Sequence, residues 1–516
     1  MASSRTRYGP GMDMVVIAVG ALLAIIVVYD LTQTRHAILR NFPLVGHLRY
    51  LLEAFGPELR QYIVTDNDEE RPFSRDQRRW VYASSKLQNN RFGFGTDNDL
   101  ERSPAYLIVK HAAFPHAGAH DSGWSLPCAK VMGEWRGRPH AFRPASAVSI
   151  SAMSYGSLSS AAIEALNRGA RICGSLHNTG EGGISPYHRH GGDLIWQLGT
   201  GYFGARAESG HFSLEEFMKT LDRNPTVKAV EIKLSQGAKP GHGGILPAAK
   251  VTPEIAAIRG VPVGQDVLSP SAHRSFSDVD GLIDFVERIA DASGLPVGIK
   301  SAVGEDRFWD ELADRMQARG QGPDFICVDG GEGGTGAAPL AFSDHVSLPF
   351  NLAMTRVYGK FSQAGLQDKV VFVGSGRLGF PERALLAFGM GCDMISVARE
   401  AMLAIGCIQA QQCHSGRCPT GVATQNPWLI RGLDPTDKSA RLANYFVALR
   451  KEILELSHAC AVAHPGEITL DHFEIIDDRL GARPARAVFG YEDGWGHHPG
   501  PPTGARRTAH ETSPPA

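Results

Sequence analysis

A chain of 516 residues with 43% hydrophobic content has room for one large domain with extensions, or for two to three ordinary ones, and can bury a sizeable core. A formal net charge of -2 with no basic arm gives no footprint for nucleic acid. The eight cysteines, scattered except for one tight trio, exclude a small secreted disulfide framework and fit a reducing compartment with one special thiol site.

The first element is an unbroken run of apolar residues and glycine, Met14 to Tyr29, bounded by Asp13 and Asp30. At 1.5 Å per residue it spans roughly 24 Å, short of a ~30 Å hydrocarbon core by an amount that thinning or snorkelling covers. Residues 1–30 therefore read as a transmembrane anchor. A signal peptide is the rival, although no small-x-small site follows the run, and a buried core helix is a third reading. Arg5 and Arg7 precede the run, and Arg35, Arg40 and Arg49 follow it. That mild bias puts the C-terminal side in the cytoplasm, the arrangement of a single-pass inner-membrane protein with a cytoplasmic catalytic domain.

Residues 31–144 read as a cap or shoulder. Leu48 to Tyr62 carries apolar residues at helical spacing, and Asp66 to Arg79 is a charge cluster suited to a solvated surface.

From about residue 145 short β-rich runs alternate with helical stretches. The predicted strands are Ala147–Ala152, Ser175–Asn178, Ala229–Leu234, Val261–Gln265, Pro296–Lys300, Phe325–Val328, Val370–Val373 and Met394–Val397. Predicted helices include Leu158–Cys173, Val279–Ala292 and Pro381–Met390. Eight such repeats predict an α/β fold, a TIM-type (β/α)8 barrel over residues 145–460. Residues 461–516 form an extension, expected to be disordered after about Gly490 because Pro, Gly, His and Thr dominate there.

A barrel places its chemistry where strands end. The first predicted strand runs into Met153 and Ser154, the second into Asn178-Thr-Gly-Glu-Gly-Gly183, and the third into Lys233-Leu-Ser-Gln-Gly-Ala-Lys239. The fifth ends at Lys300, the sixth runs into Asp329 and the glycine-rich stretch through Gly336, and the seventh into Gly374-Ser-Gly-Arg377. Any one of these loops is accounted for by a need to turn; six on one predicted rim are not.

Gly374 to Gly379 reads G-S-G-R-L-G, a dinucleotide fingerprint, yet the acidic residue a Rossmann unit wants is misplaced, since Asp393 precedes its strand. In a barrel the loops after strands seven and eight hold a single phosphate, here through Gly374, Gly376 and the backbone of Ser375 and Arg377, which points to flavin mononucleotide (FMN). Lys300 is placed to face the N1–C2 edge of such a flavin. Cys407, Cys413 and Cys418 give C-x5-C-x4-C followed by Pro419. Three thiolates in twelve residues suit a [3Fe–4S] cluster, with zinc and His414 as the generic alternative.

The stretch Glu231 to Gly241, Asn178 to Gly183, Gly333-Gly-Thr-Gly336 and Cys407 through Pro419-x-Gly-Val-Ala-Thr-Gln425 together resemble the FMN domain of glutamate synthase, over about residues 145 to 460. The resemblance implies FMN and a [3Fe–4S] cluster reducing 2-iminoglutarate, formed from 2-oxoglutarate and ammonia, to L-glutamate. It implies that Lys233, Gln236 and Lys239 bind the dicarboxylate and that Glu181 manages ammonia or the imine. Met153, Ser154, Gln197, Lys300, Asp329, Gly334 and Thr335 become flavin contacts, with Glu181, Lys233 and Lys300 as catalytic residues. Two departures bear on the substrate: His242 stands where the family usually has Glu, and Ile184-Ser185 where it has Glu-Asp. The sequence carries neither a glutaminase module nor an NADPH-binding domain, so ferredoxin or a reductase subunit is the expected electron donor. Other readings are a synthase of N-substituted glutamate, a 2-hydroxy or amino acid oxidase, and a membrane-tethered electron-transfer subunit.

Overall fold

The computed structural model describes residues 10–33, 37–64, 70–91, 93–101, 103–117, 125–477, 479 and 481–496. The chain divides into two compact units after Asp76, so residues 77–144 belong to the same unit as the barrel.

In the first unit, helix α1 (Pro10–Thr32) extends beyond the apolar run at both ends. Its 23 residues span about 34 Å at 1.5 Å each, Asp13 and Asp30 included. Among the described residues one helix segment, Met14–Thr32, is long and apolar enough to cross a membrane, and 6% of its most apolar window is buried. Asp30 is fully buried near its end, where its carboxylate accepts from the Leu44 amide at 3.1 Å and meets His47 at 2.9 Å.

The second unit is built on a closed parallel barrel. Its strands are β1 (Val148–Ile150), β2 (His177–Asn178), β3 (Leu194–Leu198), β4 (Val227–Lys233), β5 (Val297–Ser301), β6 (Phe325–Asp329), β7 (Val371–Ser375) and β8 (Met394–Val397). Each pairs with its sequence neighbours, and β8 closes on β1 through Ile395 opposite Val148. The predicted number of strands is right, but two errors cancel in it. Val261–Gln265 is not a strand: Pro262 offers no N–H to a ladder, and the segment turns after a helix, Pro253–Arg259, that ends at Gly260. The strand passed over is β3, so the predicted third strand is the fourth. Helices at Ser160–Cys173, Val279–Ser293 and Pro381–Gly389 fall within two residues of prediction.

The barrel interior is closed at its N-terminal end by Phe325, Val371 and Met394, from the first positions of β6, β7 and β8, together with Ile195, Ala229 and the incoming residues Cys128 and Met132. A Cβ on Gly298 would lie 2.4 Å from the Phe325 ring, which is why β5 carries glycine there. Beneath it Arg138 donates to Glu287 at 2.8 Å and to Asp324 at 3.0 Å, while Asp324 accepts from the Val297 amide at 2.8 Å. The bottom of the barrel is thereby packed and ionically fastened, leaving the C-terminal rim for chemistry.

Between β4 and β5 lies a long insert with a short antiparallel pair, Ile245–Leu246 against Val267–Leu268. Order continues past the predicted disordered boundary: Tyr491 is buried, its hydroxyl donating to the Met390 carbonyl at 2.8 Å. The rest of the predicted disordered tail, 497–516, lies outside the described residues.

Candidate active site

A cavity opens on the C-terminal rim and holds about 1500 Å³ with its mouth included. Its walls come from all eight strand ends and from the insert. Met153, Ser154, Glu181, Gln197, Lys233, Gln236, Lys239, Lys300, Asp329, Gly334, Thr335, Gly376, Arg377 and Cys413 all line it. Gly374 does not: it sits inside β7, where an added Cβ would meet Leu378, Phe350 and Cys392 at 2.9–3.0 Å. Cys407 and Cys418 lie outside the lining as well.

At the floor, Lys300 is buried with its Nζ 3.6 Å from Asp329 Oδ1 and 3.5 Å from Ser151 Oγ. Burial alone would discharge this ammonium; the charges of Asp329, Cys327 and Glu231 outweigh burial and raise its pKa. Glu231 is buried too, accepting from Asn178 Nδ2 at 2.8 Å and from Gln197 Nε2 at 2.5 Å. Burial raises the Glu231 acid, against the pull of Lys300. Gln197 is thus fixed by a neighbour on β4, and Asp329 by the Gly237 amide at 2.8 Å.

Arg377 and Arg399 both line the wall near the ends of β7 and β8. Burial lowers the Arg377 pKa, and the like charges of Arg383 and Arg399 lower it further. Two guanidinium groups lining the same cavity as Gly376, whose φ of 144° is a glycine conformation, suit an anionic group such as a phosphate.

On the opposite side Lys233 Nζ donates to Glu181 Oε1 at 2.8 Å and to Gln236 Oε1 at 2.7 Å. The Lys233 carbonyl lies 2.9 Å from His273 Nε2, and His273 Nδ1 is 2.9 Å from the Tyr202 hydroxyl. Burial pushes the Glu181 acid up, but Lys233, Lys239 and Arg259 together pull it below its usual range. Lys239 donates to the Ala337 carbonyl at 3.3 Å, and Arg259 donates to the Tyr155 carbonyl at 3.0 Å while stacking 5.2 Å from the Phe203 ring. Lys239 and Arg259 therefore face the cavity as cations engaged chiefly with neutral carbonyls, an arrangement that suits an anionic substrate.

The three cysteines of the trio are free. The Gln409 amide donates to Cys407 Sγ at 3.4 Å, and Cys418 Sγ is 3.6 Å from Thr420 Oγ1. Burial pushes the Cys407 thiol up to about 12, helped by the charges of Cys413 and Cys418. For Cys418 burial also acts upward, yet the amides of Ala423, Thr420 and Val422 hold the thiol below its ordinary value. Among the described residues no three His, Cys, Asp or Glu side chains form a preformed metal-binding group. Three free thiols in one loop, two of them with N–H groups directed at their sulfurs, are nonetheless a donor set of the kind that a thiolate-ligated centre needs.

Residues 138–463 match the family model described as a conserved region in glutamate synthase. The glutamate synthase large subunit-like protein YerD of Bacillus subtilis is 38% identical over 87% of this chain and 92% of its own length.

The chain belongs to the glutamate synthase family.

It is an oxidoreductase of the class acting on CH–NH2 donors. The archaeal glutamate synthase [NADPH] of Methanocaldococcus jannaschii is 35% identical over 61% of this chain, and the match spans 59% of that protein. Among solved structures, a mandelate oxidase with 3,3-difluoro-2-hydroxy-3-phenylpropionic acid overlaps 79% of this chain and 91% of its own at 14% identity and a TM-score of 0.40.

Of the two departures, His242 lies beside the lining residue Lys239, its amide donating to the Lys239 carbonyl at 3.4 Å, and Ser185 is wholly buried, its hydroxyl 2.8 Å from His188 Nδ1. Sequence reasoning missed Lys250, Arg259, Glu231 and His273. For Glu231 a signal existed, since it shares the parity of Lys233 and Ala229 on β4 and so points inward with them. Lys250, Arg259 and His273 lie in an insert without strand periodicity, and only its folding over the rim brings them in.

Proposed function

We propose that the chain is a membrane-anchored, glutamate-synthase-like reductase that uses FMN and a [3Fe–4S] cluster, fed by ferredoxin or a reductase subunit, to turn a 2-oxo acid such as 2-oxoglutarate and ammonia into an amino acid such as L-glutamate. The observation that carries this reading is the pairing of Lys233 and Glu181 in the same cavity as Lys300, Lys239 and Arg259. FMN bound on the rim would supply hydride, and the cluster single electrons. Arg377, Arg399 and Gly376 would hold the phosphate, Lys300, Gln197 and Asp329 would contact the flavin, and Cys407, Cys413 and Cys418 would hold the cluster.

The chain's own groups divide the remaining work. Lys239 and Arg259 take substrate carboxylates. Glu181, kept ionised by its three cationic neighbours, accepts an N–H from ammonia or the imine and can hold a proton at its carboxylate. Lys300, kept protonated, opposes negative charge that develops at the floor. The test is anaerobic: the reduced holoprotein should be reoxidised by 2-oxoglutarate plus ammonium, and by neither alone. Rapid reoxidation in air with no response to that mixture would instead point to an oxidase.

Anchoring rests on α1 and on a later helix of the same unit, Val45–Leu59. There Val45, Leu48, Leu51, Leu52, Phe55 and Leu59 fall on one arc, and all are exposed, as suits a lipid interface. The full chain should float with vesicles and resist extraction by alkaline carbonate; release would remove the anchor from the proposal.

A further inference from the structure

We propose that Lys250 is a positioning residue whose buried ammonium supplies the counter-charge for the three-thiolate centre and ties the β4–β5 insert to the loop that carries it. The inference rests on the cluster assigned under Proposed function, and it concerns a residue that the sequence did not single out.

Lys250 closes a short 3-10 turn, Ala248–Lys250, directly after the cavity-lining Pro247. It is 4% exposed. Its Nζ donates to the carbonyls of Cys413 at 2.7 Å, Ala423 at 3.3 Å and Ser157 at 3.5 Å. Two of these acceptors belong to the cysteine loop and the third to the turn after β1, so one side chain joins three separate segments. An ammonium has three N–H donors, and all three are used.

Its hydrogen bonding is complete but its charge is not balanced. Among the described residues Lys250 forms no ion pair with a carboxylate; burial lowers its pKa, and the nearby Cys413 and Cys418 only partly oppose that. Burying a cation among neutral carbonyls is costly unless an anion shares the site. Thiolates gathered around a metal centre provide that anion, whereas three neutral thiols do not. The dependence is mutual. Each electron accepted by such a centre adds one negative charge, and a fixed cation beside it favours the reduced state. No proton needs to move through Lys250 for this to hold.

The experiment is an anaerobic redox titration of the full chain with dithionite, following the EPR signal of the oxidised cluster, alongside iron and flavin content. In the wild type, iron in proportion to flavin is expected; its absence would remove the cluster reading itself, and this proposal with it. Given a wild-type cluster, Lys250→Met should move the cluster midpoint to more negative potential while the flavin midpoint stays in place, and Lys250→Arg should keep the wild-type value. A Lys250→Met midpoint equal to wild type overturns the proposal. So does equal loss of iron from both variants, since the side chain would then act by packing alone. Iron lost from Lys250→Met but retained by Lys250→Arg supports it, because Arg keeps the cation and the N–H donors that Met lacks.

Discussion

Lys233 and Glu181 reach each other from the ends of β4 and β2, across the intervening β3, with 2.8 Å between Nζ and Oε1 and both side chains largely buried. The pair spans the cavity wall instead of joining sequence neighbours. It fixes a carboxylate in its ionised form where a substrate nitrogen is expected. Removing one partner of such a pair strands the other as a buried charge, at a cost of roughly 3–5 kcal/mol.

The first prediction follows from that asymmetry. Glu181 lies below the usual 4.5 in the wild type, so activity that needs its carboxylate should persist down to that pH. In Lys233→Met the strongest opposition to burial is gone, and the Glu181 pKa should rise. The acidic limb of the pH profile of kcat/KM should then move to higher pH, with a loss of activity of about 100-fold or more. A limb that stays in place would show that Glu181 does not set it.

In the proposed function Arg259 binds a substrate carboxylate and takes no part in the chemistry. Arg259→Met should raise KM for the oxo acid about 10- to 100-fold, the worth of one charge-assisted hydrogen bond, and change kcat less. Arg259→Lys should recover part of the loss, since Lys keeps the charge but not the planar fork. Steady-state kinetics with 2-oxoglutarate and saturating ammonium separates the two parameters. Equal loss in kcat and kcat/KM would assign Arg259 to the transition state instead.

Beneath the barrel the third prediction concerns stability alone. Burial pushes the Glu287 acid up, but Arg138, Arg136 and the Gly322 amide overcome it and bring it to about 2. A folded-state pKa below the unfolded one means stability present above about 4.5 and lost as pH falls toward 2. Asp324 runs the other way, since burial raises it to about 6, so its protonation on acidification favours the folded state between about 6 and 4. Thermal unfolding of Glu287→Gln should start from a lower Tm and lose the steep fall below pH 4.5, while the shallow trend near pH 5 remains. A wild-type slope retained in the variant would assign the acid transition to other groups.

The barrel was legible because β5 to β8 are short apolar runs followed by helices, with little else for those residues to do. Val261–Gln265 misled because β-branched residues on either side of Pro262 imitate a strand, while β3 was hidden by the glycines on both sides, Gly191-Gly192 and Gly199. The site was legible wherever a functional residue lay at a strand end, as with Lys233, Lys300 and Asp329. It was not legible in the insert, where Lys250, Arg259 and His273 acquire partners only through folding, from positions 93 to 173 residues away for Lys250. Gly374 shows the converse: a motif position whose glycine serves packing against Phe350 and Cys392.

The fourth prediction contrasts two glycines whose added methyl groups collide with different kinds of neighbour. At Gly244 a Cβ would lie 2.7 Å from Glu181 Oε1, the free end of a side chain that can swing away. At Gly298 it would lie 2.4 Å from the Phe325 ring, wholly buried beneath the rim. Gly298→Ala should therefore cost about 1–3 kcal/mol of stability through overpacking. Any effect on activity should follow from that loss. Gly244→Ala should lower kcat by more than its loss of Tm accounts for, because it moves the carboxylate off Lys233. Such a displacement of about 1 Å is worth up to about 100-fold. Tm and kcat measured on both variants decide the matter. A Gly244→Ala enzyme with wild-type kcat would mean that the position of Glu181 is not critical and that the pairing with Lys233 has a structural role only.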